Sequence, residues 1–301
     1  MYKTKFTLLF LLVISYSFSQ NKDVEVTKLE INSKLDHFAA RVSGDKIYFG
    51  HNMTTKRGRA IKDKFNGFIY TIYEAPLSED GEIRDAKPIE KTELGQFNMS
   101  AATYSKDGKF MYFTTNHLGM GKNKLRGMET YNLQIQRAEY EEGKGWTNFT
   151  ALPFCDINYN FAHPALSPDG STLYFIADVR GTKGKSDLYK VSVNNHKTYG
   201  EVTKLNETIN SSRREIFPFV SADNKLYFSS DRRGGKGGLD IYVYDLKDSN
   251  LVQSPVSLDM PINSRGDDFS FFLNDDLTTG YLSSRRLKGE GGDDLYYFTK
   301  F

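Results

Sequence analysis

The chain has 301 residues, of which 39% are apolar, 14% aromatic and 26% charged, a globular composition that is neither disordered nor fibrous. Setting aside Lys3 and Lys5 at the extreme N-terminus leaves 38 basic residues against 38 acidic ones, a neutral body that argues against nonspecific nucleic-acid binding. The one cysteine, Cys155, excludes an intramolecular disulfide and a thiolate metal cluster built from this chain alone.

Residues 1–19 read as a secretory signal. Lys3 and Lys5 supply the positive start, and Phe6 to Ile14 form an apolar run broken only by Thr7. Ser17-Phe18-Ser19 then provides small residues for cleavage, with Gln20 as the first mature residue. The run is too short for a membrane span, which needs about 20 residues. No cysteine follows it to carry a lipid anchor. The expected organisation is a signal over 1–19 and one exported domain over 20–301, with no transmembrane segment after cleavage.

The remainder repeats. Aromatic pairs recur at Tyr48-Phe49, Tyr112-Phe113, Tyr174-Phe175 and Tyr227-Phe228, with Tyr281-Leu282 as the last copy. Each follows a turn, from Gly44-Asp45-Lys46 through Asp107-Gly108, Asp169-Gly170 and Asp223-Asn224 to Asp275-Asp276, and these residues suit two-residue hairpins. A short apolar segment precedes each turn, so the unit opens with a hairpin. A third strand follows a Gly-, Lys- and Arg-rich loop: Phe68-Ile69-Tyr70, Tyr131-Asn132-Leu133, Asp187-Leu188-Tyr189, Asp240-Ile241-Tyr242 and Asp294-Leu295-Tyr296. A polar fourth strand is expected at Trp146–Leu152, Val202–Leu205 and Val252–Leu258. Short strands without helical periodicity define an all-β array, and four strands per unit are the layout of a propeller blade. The last unit stops after its third strand. Val26-Thr27-Lys28-Leu29 and Ile31-Asn32-Ser33 match Val202-Thr203-Lys204-Leu205 and Ile209-Asn210-Ser211 from mid-chain. The fold class predicted is therefore a five-bladed β-propeller of four-stranded antiparallel blades, closed by the N-terminal strand completing the last blade.

Residues 162–191 (AHPALSPDGSTLYFIADVRGTKGKSDLYKV) and 217–243 (FPFVSADNKLYFSSDRRGGKGGLDIYV) carry the most specific pattern. It resembles the WD40-like repeat of exported bacterial proteins, the type found in the TolB propeller. The form with Ser-Asp-Arg followed by glycines and Asp-Leu-Tyr or Asp-Ile-Tyr resembles the propeller region of Bacteroidetes OmpA-family envelope proteins. The resemblance covers about two thirds of the chain and implies an interaction scaffold in the periplasm or at the outer membrane, with an envelope protein as partner.

Loops between second and third strands emerge on the same end of a propeller as the starts of the innermost strands. Here they are basic in every copy: Lys56, Arg57 and Arg59; Lys122, Lys124 and Arg126; Arg180, Lys183 and Lys185; Arg232, Arg233 and Lys236; Arg285, Arg286 and Lys288. The inner-strand starts carry Asp36, Glu215, Asp267 and Asp268, with Asn98 and Asn160 at the equivalent place in units two and three. One reading is a charged face that recognises a partner. The other pairs each blade's Arg with an acid of the neighbouring blade, the role expected of Arg232 and Arg285. The Lys56–Lys64 run, with Gly58, is expected to be a mobile partner-binding insertion.

Acids near a propeller axis also allow glycosidase chemistry, for which Asp36, Glu215 and Asp268 are the candidates. A glycan-binding lectin would use the same mouth. No metal or cofactor site is expected: the histidines show no ligand spacing, and no Gly-x-Ser-x-Gly elbow occurs. His163 is expected to be a packed core residue, and Cys155 buried and inert. A non-enzymatic scaffold is the leading functional expectation, and a carbohydrate-active enzyme or lectin the alternative.

Overall fold

The computed structural model describes residues 24–63, 66–92, 98–117, 129–247 and 254–300. The expected signal, Lys64, Lys122, Lys124 and Arg126 lie outside them. Every regular element among the described residues is a strand, and the strands form five antiparallel sheets. Blade 1 comprises His37–Ser43, Lys46–Asn52, Tyr70–Pro76 and Lys87–Pro88. Blade 2 comprises Ser100–Tyr104, Phe110–His117, Glu129–Glu141 and Gly145–Ala151. Blade 3 comprises Phe161–Leu166, Thr172–Ala177 and Asp187–Asn194, with Thr203–Lys204 and Thr198–Tyr199 sharing the outer edge. Blade 4 comprises Glu215–Val220, Lys225–Ser230, Asp240–Asp245 and Val256–Ser257.

Blade 5 supplies only Asp268–Leu273, Thr279–Ser284 and Asp294–Lys300 from its own stretch of chain. Its outer strand is Val24–Lys28, paired from Val24↔Lys300 to Lys28↔Tyr296. The five-bladed ring and its closure by the N-terminal strand are both present. Asn32 completes the join: Leu295 N–H donates to its Oδ1 at 2.8 Å, and its Nδ2 donates back to the Leu295 carbonyl at 2.7 Å. Asn210 and Asn263 clamp Leu188 and Ile241 in the same two-way manner. The Ile-Asn-Ser match between the N-terminus and mid-chain is thus one device used in three blades.

The aromatic pairs explain why the sheets stack. Successive side chains on a strand face opposite ways, so the Tyr of each pair packs on the following blade and its Phe or Leu on the preceding one. Tyr48 shares a core with Phe113, Tyr112 with Phe175, Tyr174 with Phe228, Tyr227 with Leu282, and Tyr281 with Phe49. Each inner strand also carries a β-bulge with one residue in the left-handed region: Ala39, Ala101, His163, Phe217 and Ser270.

Several boundaries differ from the sequence reading. Only the first hairpin is two-residue, with Ser43 facing Lys46 across Gly44-Asp45. In blades 2 to 4 a serine instead caps a wider turn, Ser105, Ser167 and Ser221 each donating to the Asp two residues on. The outer strands of blades 3 and 4 are shorter than expected. In blade 1 the third strand starts at Tyr70, because Phe68 and Ile69 belong to a separate excursion. The described residues of that excursion form a double turn, with bridges Thr54↔Ala60 and Lys62↔Phe68.

Candidate functional site

The Gly-rich loops are first of all joints. Asp187, Asp240 and Asp294, each fully buried at the start of a third strand, accept the N–H groups of Lys183 at 2.8 Å, Lys236 at 2.9 Å and Glu290 at 2.7 Å. A Cβ at Gly235 or Gly289 would lie 1.9 or 2.1 Å from those carboxylates. Gly184, Gly237 and Gly291 lie against the next blade, where a Cβ would meet the carbonyls of Arg213 at 1.8 Å, Gly266 at 2.3 Å and Ser33 at 2.3 Å. Backbone contact at the seams accounts for the glycines.

A second joint uses the first residue of each inner segment. Tyr70 N–H donates to Asn98 at 2.8 Å, Leu133 N–H to Asn160 at 2.8 Å, Leu239 N–H to Asp267 at 2.9 Å and Asp293 N–H to Asp36 at 3.2 Å. Asp36 is therefore the clasp between blades 5 and 1, and its other oxygen accepts the Tyr70 hydroxyl at 2.9 Å. Blade 4 has Arg214 at this position, and Ser186 joins the backbone of Glu215 instead.

The other two candidate acids are sealed inside their own blades. Glu215 and Asp268 are 0% exposed. Arg232 Nη2 reaches Glu215 at 3.0 Å, and Arg286 Nη2 reaches Asp268 at 2.7 Å. Each guanidinium also donates to carbonyls, of Thr208 and Ile209 or of Pro261 and Ile262, and to Ser230 or Ser284. Each lies over an aromatic ring, Tyr242 at 5.0 Å or Tyr296 at 4.7 Å. Burial pushes the Glu215 carboxyl upward, while Ser211, Arg232 and Ser230 pull it back. The expected pairing across blades is corrected to pairing within a blade. The repeating residue is Arg286, not Arg285, because the inward Arg stands two positions after the buried serine. Arg285 instead binds Asp293 at 2.5 Å and stays half exposed. Burial raises Asp293, and Arg285 partly offsets this.

Asp36, Glu215 and Asp268 do not face an open mouth. The axis at this end is filled by Phe38, Ala39, Ala101, Leu239 and Phe269, flanked by Tyr70, Ile216 and Phe217. His163 belongs to the same plug. It stacks on Phe217 with centroids 3.7 Å apart, and Nδ1 accepts the Phe217 N–H at 3.3 Å. Burial, aided by the charge of Arg41, pushes its pKa down to about 3. Cys155 is only half-buried, yet desolvation pushes its thiol up to about 12. No group of three His, Cys, Asp or Glu among the described residues has metal-binding geometry. Of the proposed partner-face cations, Lys56, Arg57, Arg59, Arg180 and Arg233 are exposed.

Sequence reasoning missed Arg41. Opposite the repeat tyrosine, blades 2 to 5 carry Thr103, Ala165, Phe219 and Phe272, whereas blade 1 carries Arg41. Aligning the copies on that tyrosine exposes a lone charge in an otherwise uncharged column.

No known protein family and no curated protein matches the chain. Solved structures do. A protein described as TolB from Agrobacterium tumefaciens aligns over 92% of this chain and 97% of its own, with a TM-score of 0.52 and 13% identity. The chain has the TolB-like propeller fold. The puromycin-hydrolyzing peptidase of Mycobacterium tuberculosis aligns over 83% of this chain at 15% identity and a TM-score of 0.46, and the chain spans 35% of that protein's length. The catalytic domain of the Coprinopsis cinerea GH62 α-L-arabinofuranosidase aligns over 90% of this chain and 92% of its own at 8% identity and a TM-score of 0.47. At such identities the likeness concerns architecture, and function in this TolB-like propeller must be read from its own residues.

Proposed function

We propose that the protein is an exported, non-enzymatic propeller that serves as a protein–protein interaction scaffold in the bacterial cell envelope, periplasmic or associated with the outer membrane. Its partner presents acidic groups to the loop face. One contrast carries this reading. Asp36 clasps two blades and Glu215 and Asp268 are sealed in ion pairs within their own, while Lys56, Arg57, Arg59, Arg180 and Arg233 on the same face are exposed and have no ion pair among the described residues. A glycosidase needs two carboxylates free to exchange protons with substrate, and the plugged axis provides none at this end. No helix among the described residues is long and apolar enough to cross a membrane.

A photo-crosslinking residue placed in cells at Arg57, Arg180 or Arg233 tests the assignment. The same envelope protein is expected from all three positions, and Arg→Glu at these sites weakens its capture. Capture unchanged by charge reversal, or sugar release from polysaccharide that is lost in Glu215→Gln, refutes it.

A further inference from the structure

At the opposite end of the axis, where the inner hairpins turn, the five blades surround a cavity of about 380 Å³. Each blade contributes a wall: Arg41, Tyr104, Leu166, Phe219 and Phe272. This volume falls within the range of small-molecule pockets, roughly 300–1,000 Å³.

Arg41 sets the chemistry. Its residue is 7% exposed. Nη1 donates to the Ala40 carbonyl at 2.7 Å and to Ser270 Oγ at 3.4 Å, while Nε and Nη2 have no hydrogen-bond partner among the described residues. No described carboxylate lies within ion-pair distance, in contrast to Arg232 and Arg286. The guanidinium lies 5.6 Å from the Phe219 ring centroid and 5.7 Å from that of Phe272, contacts that stabilise a cation without neutralising it. Its neighbours supply no counter-charge. His163 is held neutral, and burial keeps the Tyr104 phenol protonated. The Tyr104 hydroxyl is itself buried without a partner. An uncompensated buried charge is costly, and a planar guanidinium with two idle nitrogens, Nε and Nη2, along one edge is matched by a planar anion that accepts two bonds.

We propose that this cavity is a binding site for an organic carboxylate with an apolar body, the carboxylate seated on Arg41 and the body against Leu166, Phe219 and Phe272. The exposed Lys106 and Asp275 at the rim offset each other, so the single buried cation suits a monoanion better than a polyanion. The site is independent of the loop face.

Calorimetric titration of the full chain with 4-phenylbutyrate, 4-phenylbutanamide and sodium sulfate tests this, alongside a short peptide ending in Phe with a free or amidated C-terminus. The carboxylate should bind at least ~10-fold more tightly than its amide or sulfate. Arg41→Met should erase the preference while leaving amide binding unchanged, and Arg41→Lys should retain part of it. Whether the free acid or the peptide binds more tightly identifies the carboxylate's source. Thermal melting of both variants controls for folding. Equal affinity for acid and amide, sulfate binding as strong as the acid, no binding of any carboxylate, or a preference that survives Arg41→Met overturns the proposal.

Discussion

Glu215 shows how one carboxylate can be structural despite looking catalytic. It receives Ser211, Ser230 and Arg232, and the Arg232 side chain is only 14% exposed. Glu215→Ala would strand that guanidinium, and we expect a loss of roughly 3–5 kcal/mol in urea unfolding. Adding Arg232→Met should recover at least ~1 kcal/mol of it. Arg180→Ala, at an exposed site, should change stability by under ~0.5 kcal/mol. His163 gives a pH prediction. Its folded value of about 3 lies below the 6.5 of the free side chain, so between these values the unfolded chain binds the extra proton. Its contribution is complete above pH 6.5 and is lost as pH falls towards 3, by at most ~1.4 kcal/mol per pH unit. His163→Asn, which tolerates the left-handed backbone at this bulge, should flatten the fall in urea midpoint between pH 7 and pH 5.

At the level of strands and loops, the glycine seams make a sharp contrast. Gly237→Ala would drive a Cβ to within 2.3 Å of the Gly266 carbonyl, whereas at Gly234 the same Cβ has no atom within 4 Å. We expect Gly237→Ala to cost about 1–3 kcal/mol through forced separation of blades 4 and 5. Gly234→Ala should cost about 1 kcal/mol from its positive φ alone, and melting temperatures of the two variants check the difference. The strand pattern itself was legible. Alternating Tyr-Phe pairs after Asp-Gly turns determined which strands were buried on both faces. What strand periodicity could not give was which arginine of Arg285-Arg286 turns inward. Both follow Ser283-Ser284, and the deciding fact is that Ser284 donates to Asp268, which places the residue two further on over that carboxylate. Arg41 escaped for a related reason. Its isolation is visible only after all five inner strands are brought into register on the opposing tyrosine, and their bulges hide that register.

On the scale of the whole ring, the N-terminal strand and Asp36 close the same seam by two routes, one at the rim and one near the axis. Deleting Val24 to Ile31 is expected to unfold or aggregate the protein, because it exposes Asp294–Lys300 as a bare edge and removes Leu29 from the core shared by blades 5 and 1. An unchanged melting temperature would sink that expectation. The two ends of the axis have different characters. One is filled by aromatic side chains beneath exposed cations, and the other opens around one unpaired guanidinium. The repeat predicted the ring and its closure, yet it could not distinguish the ends, since the difference lies in single residues that depart from the repeat.

The pairing of Val24 with Lys300 also governs when the fold can finish. A nascent chain emerges with Val24–Lys28 long before Asp294–Lys300, so the first strand waits without a mate while the four intervening blades are synthesised. Contacts so distant in sequence form late and slowly. The ring thus completes only once Asp294–Lys300 is free to pair, so every earlier blade must form around an open seam.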